Sequence, residues 1–242
     1  MDLFSYAKLV LRQLPSFVVR RNYLPFDLEG LRLYIKPRSD AYIILWETFV
    51  AQYYKPHKES VSYPVIVDVG AYIGDFTLWA YKRYKPRKII ALEPHKELFK
   101  LLQKNISANG FCDKVVALNS ALLEGSCGVI VHTPLISGTR VIPSMDKSST
   151  ETISLQRLVD IYDLKRVDYF KMDIEGGEKY VLTDENKKLF KSHIKFVSME
   201  THNTRGFSRD RSREYFTELG FDIIEIKIAN GNTQLEAYNK DL

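Results

Sequence analysis

The segment Val65-Ile66-Val67-Asp68-Val69-Gly70-Ala71-Tyr72-Ile73-Gly74-Asp75 constrains the fold of this chain more than any other. Val65 to Val69 is short and almost wholly apolar, which suits a strand covered on both faces in a parallel sheet. Gly70 and Gly74 then let the backbone turn sharply and let its N–H groups approach a ligand. Helical periodicity resumes from about Asp75 to Tyr84, so the segment reads as strand, loop, helix.

The alternation continues downstream. Lys88–Leu92 reads as a strand ended by Glu93-Pro94, and about Lys96–Asn109 as a helix closed by Gly110. Val115–Leu118 is a third strand, residues 122–153 an irregular or β-rich excursion, and Leu155–Tyr162 a helix. Val167–Asp173 and Ile194–Met199 are further strands, with a helix expected after Glu178 and another near Arg211–Leu219. Strands at 221–228 and 233–238, joined at Gly231-Asn232, form a closing hairpin. This order predicts a doubly wound α/β sheet, mostly parallel with an antiparallel C-terminal strand, over residues 61–242. Residues 1–60 read as a helical and hairpin extension: a helix ending near Pro15, a hairpin turning at Glu29-Gly30, and a helix over about Asp40–Tyr53 that stops before Pro56.

Composition removes several function classes. With 45% hydrophobic residues the chain can bury a core, so disorder throughout is excluded. The net charge of +5 is spread among acids rather than gathered in a stripe, which disfavours a nucleic-acid binder. The densest basic runs, around Lys82–Lys88 and Arg205–Arg213, read as solvated surface. Cys112 and Cys127 are the only cysteines; they have no metal-ligand spacing and exclude a zinc site. Reduced thiols and the absence of a signal peptide point to a cytoplasmic protein. Residues 1–21 could form an amphipathic helix on a membrane surface, but docking on the domain is the favoured reading. Oligomeric state is not legible.

In an open α/β sheet, ligands bind beyond the carboxyl ends of the strands, where the strand order reverses. The Gly-x-x-x-Gly spacing here differs from the Gly-x-Gly-x-x-Gly of dinucleotide folds, and Asp75 at the helix start repels a pyrophosphate. An acidic loop suits S-adenosylmethionine, which carries a sulfonium and an ammonium and no phosphate. Glu93, ending the second strand, is placed to accept both ribose hydroxyls. The predicted cofactor-binding residues are Asp68, Gly70, Ala71, Tyr72, Gly74, Asp75, Thr77, Glu93 and Pro94, with Asn119, Ser120 and Ala121 beside the adenine and Asp173 near the methyl group.

Lys171-Met172-Asp173-Ile174-Glu175-Gly176-Gly177-Glu178 resembles the FkbM family of methyltransferases, whose pattern there is Lys-Ile-Asp-Val/Ile-Glu-Gly-Ala-Glu. The resemblance extends to Asp68–Thr77, Glu93-Pro94, Asn105, Asn109-Gly110, Ala121-Leu122 and Glu200-Thr201-His202. Upstream, Arg38-Ser39-Asp40 with Glu47 and Tyr54 is similar to the element that precedes the sheet in that family. Departures are Gly177 for Ala, Tyr72 where Asn is common, and Ser154–Arg157 in place of Thr-Leu-Asp-Asp. The resemblance implies a class I methyltransferase (Rossmann-like) fold and O-methylation of a hydroxyl on a sugar, glycan, polyketide or other small metabolite.

The residues permit that chemistry. Methyl transfer is an in-line displacement, so the enzyme mainly positions the nucleophile, and a hydroxyl benefits from a general base. Asp173, His202, Lys171 and Glu175 are the predicted catalytic residues, with Glu200 near them. Asp173 is best placed, and His202 has the unperturbed pKa best suited to neutral pH. Lys171 could instead be a buried ion-pair partner of a carboxylate. No residue is assigned as a metal ligand: the cluster allows Mg²⁺, and nothing in its spacing requires it. An RNA methyltransferase and a non-catalytic cofactor-binding module are the competing readings.

Overall fold

The computed structural model describes residues 23–36, 39, 41–58, 62–124, 128–132, 140–144, 150–202, 207–228 and 233–242. The helix expected before Pro15, the membrane reading of residues 1–21, Arg38, Asp40, Cys127, Arg205 and the Gly231-Asn232 turn lie outside them. Leu24–Leu28 (β1) and Leu31–Ile35 (β2) pair antiparallel around Glu29-Gly30, both at positive φ. The next helix is irregular: one α-helical turn, Ala41–Leu45 (α1), widens into a π-helix at Trp46–Val50. It stops short of the expected Tyr53.

The strand–helix alternation then follows the sequence reading closely. Val65–Val69 (β3), Asp75–Tyr84 (α2), Lys88–Leu92 (β4), Lys96–Ala108 (α3) and Val115–Leu118 (β5) build one half. The excursion contains Ala121–Leu122 (β6), Gly128–His132 (β7), Arg140–Ser144 (β8) and Thr152–Ile153 (β9), with β6 paired to β9 and β7 to β8. Leu155–Ile161 (α4), Tyr169–Met172 (β10), Lys187–His193 (α5), Phe196–Thr201 (β11), Arg209–Glu218 (α6), Asp222–Lys227 (β12) and Thr233–Tyr238 (β13) complete the chain. The helix expected directly after Glu178 is only a 3₁₀ turn, Glu178–Tyr180. There the Glu178 carboxylate accepts from Gly176 N–H rather than facing solvent.

The seven-stranded sheet has the order β12-β13-β11-β10-β3-β4-β5, with β13 antiparallel to both neighbours. The chain leaves β3 toward β4 and β5, then returns to the other side at β10. The switch point therefore lies between β3 and β10, beside Gly70 and Asp173.

Alternate residues of the central strands enter different cores. Val65, Val67 and Val69 pack with Phe170 and Met172 on one face. Ile66 and Tyr169 pack on the other, against Leu28, Leu33, Leu45, Phe49 and Tyr54 from the N-terminal elements. Residues 23–54 thus share a core with the sheet. Two α3 side chains fasten them: Asn105 accepts from Tyr34 N–H at 2.6 Å, and Asn109 accepts from Arg32 N–H at 2.8 Å. Both amides donate in return, Asn105 to Tyr34 and Ile73 carbonyls and Asn109 to the Arg32 carbonyl. One turn apart on α3, the pair satisfies the free edge of β2. Among the described residues no helix is long and apolar enough to cross a membrane.

Candidate functional site

The two glycines of the loop are required by the chain itself. Gly70 has φ +79°, and a Cβ there would lie 1.9 Å from the Asp173 carbonyl oxygen. Gly74 has φ +89°, and its Cβ would meet Leu102 at 2.8 Å. Gly70 and Ala71 both donate to the Leu92 carbonyl, at 3.0 and 2.9 Å, which folds the loop over the end of β4. Tyr72 has φ +50°, a region that the Asn of the resembled family tolerates better than Tyr does.

Lys171 lies beneath this loop, 3% exposed, opposite Asp68 in the β10–β3 register. Its Nζ donates to the Gly70 carbonyl at 2.8 Å and stands 3.3 Å from Asp68 Oδ1. Burial alone would lower its pKa, but Asp68, Asp173 and Asp75 carry it above the ordinary value. Lys171 thus makes a buried ion pair with Asp68 and holds the loop at the Gly70 carbonyl. Asp68 also accepts from Thr77 Oγ at 2.6 Å. Asp75 is buried and accepts from Thr48 Oγ at 2.7 Å; burial is the main reason its pKa rises to about 6.

Glu93 is buried, and its two oxygens accept from Tyr72 N–H and His95 N–H, each at 2.8 Å. Burial pushes it up to about 8 despite these bonds. Each oxygen keeps acceptor capacity, so a diol can still be received. Next to it is a narrow apolar crevice of about 20 Å³, lined by Val69, Leu92, Pro94, Ser120, Ala121 and Ile174 among others. Asn119 does not line it. Its amide donates to the Glu93 and Pro94 carbonyls and fixes that strand end.

The second cluster forms where β10 and β11 end. Asp173, Glu175 and His202 each present one donor atom, all within 4.8 Å of one another. Asp173 accepts from Tyr54 O–H at 2.8 Å. His202 Nδ1 lies 2.8 Å from Glu178 Oε1, and its Nε2 lies 3.4 Å from Glu175 and 3.7 Å from Glu200. Burial would lower the His202 pKa, but Glu178, Asp173 and Glu175 raise it to about 9. These carboxylates favour the protonated form of the ring.

The N-terminal elements close the cluster from outside the sheet, and the sequence showed this only through resemblance at Glu47 and Tyr54. Thr48 reaches Asp75, while the Tyr54 ring lies 5.2 Å from Lys171 Nζ and its carbonyl accepts from Tyr169 O–H. Glu47 is half-buried, and burial followed by Asp173, Asp75 and Glu175 raises it to about 7. The π-helix over Trp46–Val50, an irregularity common at functional sites, is the signal in the backbone.

Residues 68–223 match the methyltransferase FkbM domain. The chain belongs to the FkbM methyltransferase family. It is 27% identical over 232 residues to Methyltransferase sdnD of Sordaria araneosa, covering 81% of this chain and 88% of that one. An FkbM methyltransferase from Methylobacillus flagellatus superposes with a TM-score of 0.51 at 18% identity, over 75% of this chain and 44% of that one. A human methyltransferase 10 domain containing protein gives 0.53 at 13% identity over 99% of both chains. This FkbM protein is thus a methyltransferase with a class I fold, a fold that works with S-adenosylmethionine.

Proposed function

We propose that this FkbM methyltransferase transfers a methyl group from S-adenosylmethionine to a hydroxyl of a sugar, glycan or other small metabolite. The observation that carries the reading is the juxtaposition at Gly70 and Asp173. The cofactor loop and the carboxylate cluster touch there, through the Asp173 carbonyl. The residues fit the cofactor in kind: apolar side chains beside Glu93 against which a purine can pack, a buried carboxylate at Glu93 for the ribose, and Asp68, Asp75 and Asp173 for positive charge.

S-adenosylmethionine supplies the activated methyl group. Asp68, Gly70, Ala71, Tyr72, Gly74, Asp75 and Thr77 shape its loop, Lys171 positions that loop, and Glu93 with Pro94, Ser120 and Ala121 receives the nucleoside. Asp173 and Glu175 face the acceptor, with Tyr54 orienting Asp173. Glu47, held near neutrality, is suited to take the hydroxyl proton. Residues 23–58 serve as a wall of this site rather than as a separate unit. Among the described residues the mouth carries Glu47, Asp173, Glu175 and Glu200 beside His202, an acidic lining that supports a small-molecule acceptor over a phosphate backbone.

The test is calorimetry with S-adenosylmethionine, followed by transfer of labelled methyl to a panel of sugars, polyols and hydroxylated metabolites. Cofactor binding and an alkali-stable methyl ether are expected. A folded protein that binds no cofactor, or label on nitrogen or carbon alone, overturns the proposal.

A further inference from the structure

The crevice beside Glu93 is smaller than the base it would receive. At about 20 Å³ it has room for about one water, not for the two fused rings of a purine. Most of its lining is fixed. Val69 and Leu92 end central strands and are buried. Gly70 is tied to the Leu92 carbonyl and to Lys171, and the Pro94 carbonyl is held by Asn119 and Thr150. Ala121 and Leu123 donate to the Glu151 and Ile153 carbonyls. Ile174 is different. It follows β10, is only half-buried, and has an aliphatic side chain with no hydrogen bond to lose by moving.

Two glycines leave room around it. Glu175 and Gly176 have φ +52° and +94°, as in a type I′ turn, and Gly177 N–H donates to the Ile174 carbonyl at 3.0 Å. Gly177 is thereby folded back against Ile174. Its own φ of −80° suits any residue, so the turn does not call for glycine there. A Cβ on Gly177 would lie 3.2 Å from Ile174 Cδ1 and from its carbonyl oxygen, and 3.3 Å from Cγ1. A Cβ on Gly70 would lie 3.1 Å from Cγ2. Ile is stiff about χ1, and passing between its staggered wells sweeps both branches. A Cβ on either neighbour would pin the side chain; with neither, it can turn.

We propose that Ile174 gates the nucleoside crevice, standing across it in this structure and turning aside, in the room left by Gly70 and Gly177, as the purine enters. The gate rests on the cofactor binding proposed above. Opening requires a change of rotamer, so Ile174 sets how fast and how tightly the nucleoside is taken up. A fixed apolar wall is the other role open to this side chain, and trimming it has opposite effects in the two cases. A wall loses contact with the purine, whereas a gate has less to displace.

The test uses the full chain and methylthioadenosine, with affinity from calorimetry and rates from surface plasmon resonance. Ile174→Val removes Cδ1 and should tighten binding about two- to tenfold, through faster association. Gly177→Ala should weaken binding severalfold through slower association. It should cost less in the Ile174→Val background, where its Cβ no longer meets Cδ1. Circular dichroism checks that each variant is folded, and Ile174→Val decides the question if Gly177→Ala does not fold. Weaker or unchanged binding by Ile174→Val overturns the gate and leaves the cofactor site intact. A folded wild-type protein that binds neither methylthioadenosine nor S-adenosylmethionine overturns the function proposed above, and the gate with it.

Discussion

Replacing Lys171 by Met should destabilise the protein by about 3–5 kcal/mol, the cost of removing one partner from a buried ion pair. The side chains of Lys171 and Asp68 are 4% and 0% exposed. No water is therefore at hand to take over the charge of Asp68. Asp75 is also buried, and Lys171 already holds its pKa down to about 6. In the variant Asp75, already raised by burial, titrates still higher in the folded than in the unfolded chain. Stability from such groups is present at low pH and lost as pH rises, so the deficit should be smaller at pH 5.5 than at pH 7.5. Adding Asp68→Asn should recover part of it, because the orphaned charge is gone. The loop loses its clamp at the Gly70 carbonyl, so cofactor affinity should fall about tenfold, equivalent to roughly 1.4 kcal/mol. Urea unfolding followed by circular dichroism at the two pH values measures the first effect and calorimetry the second. A cost below about 1 kcal/mol, equal at both pH values, would refute a buried, compensated cation.

Glu93, held up near 8 by burial, should make nucleoside binding pH-dependent. Ribose hydroxyls donate to the ionised form, so affinity for methylthioadenosine, which has no group titrating in this range, should rise from pH 6 and level off above about 8. The change should be at most about tenfold per pH unit, and Glu93→Gln should flatten it; a flat wild-type profile contradicts the assignment. Gly70→Ala should cost well over the roughly 1 kcal/mol expected of Gly110→Ala. Both glycines have positive φ, but a Cβ at Gly110 meets nothing within 4 Å, whereas one at Gly70 strikes backbone. Equal unfolding midpoints for the two variants would show that the loop yields.

Local pattern was sufficient for the sheet. A run such as Val65–Val69 cannot be amphipathic, so it is legible as a central strand whatever surrounds it. The Gly70 and Gly74 loop is likewise local, since positive φ favours glycine regardless of context. The helix after Glu178 was misplaced because Glu178 is spent on contacts with Gly176 and with His202, 24 residues away, which no periodicity reports.

The sequence alone determined the doubly wound architecture, the family and the set of chemically able residues at Asp68, Glu93, Asp173 and His202. Their states of charge were decided by tertiary structure, because a pKa depends on burial and on neighbours distant in the chain. Three carboxylates of the single segment Asp173–Glu178 raise His202 to about 9, and Asp173 and Asp75 help bring Glu47 toward neutrality. Only packing could show that residues 23–54 share a core with the sheet. The hydrogen bonds that hold them there, Thr48 to Asp75, Tyr54 to Asp173 and Asn105 to Tyr34, span 27, 119 and 71 residues. The loop itself changed meaning in the same way. Its glycines were read as room for a ligand, and at Gly70 the room is taken by the backbone of Asp173.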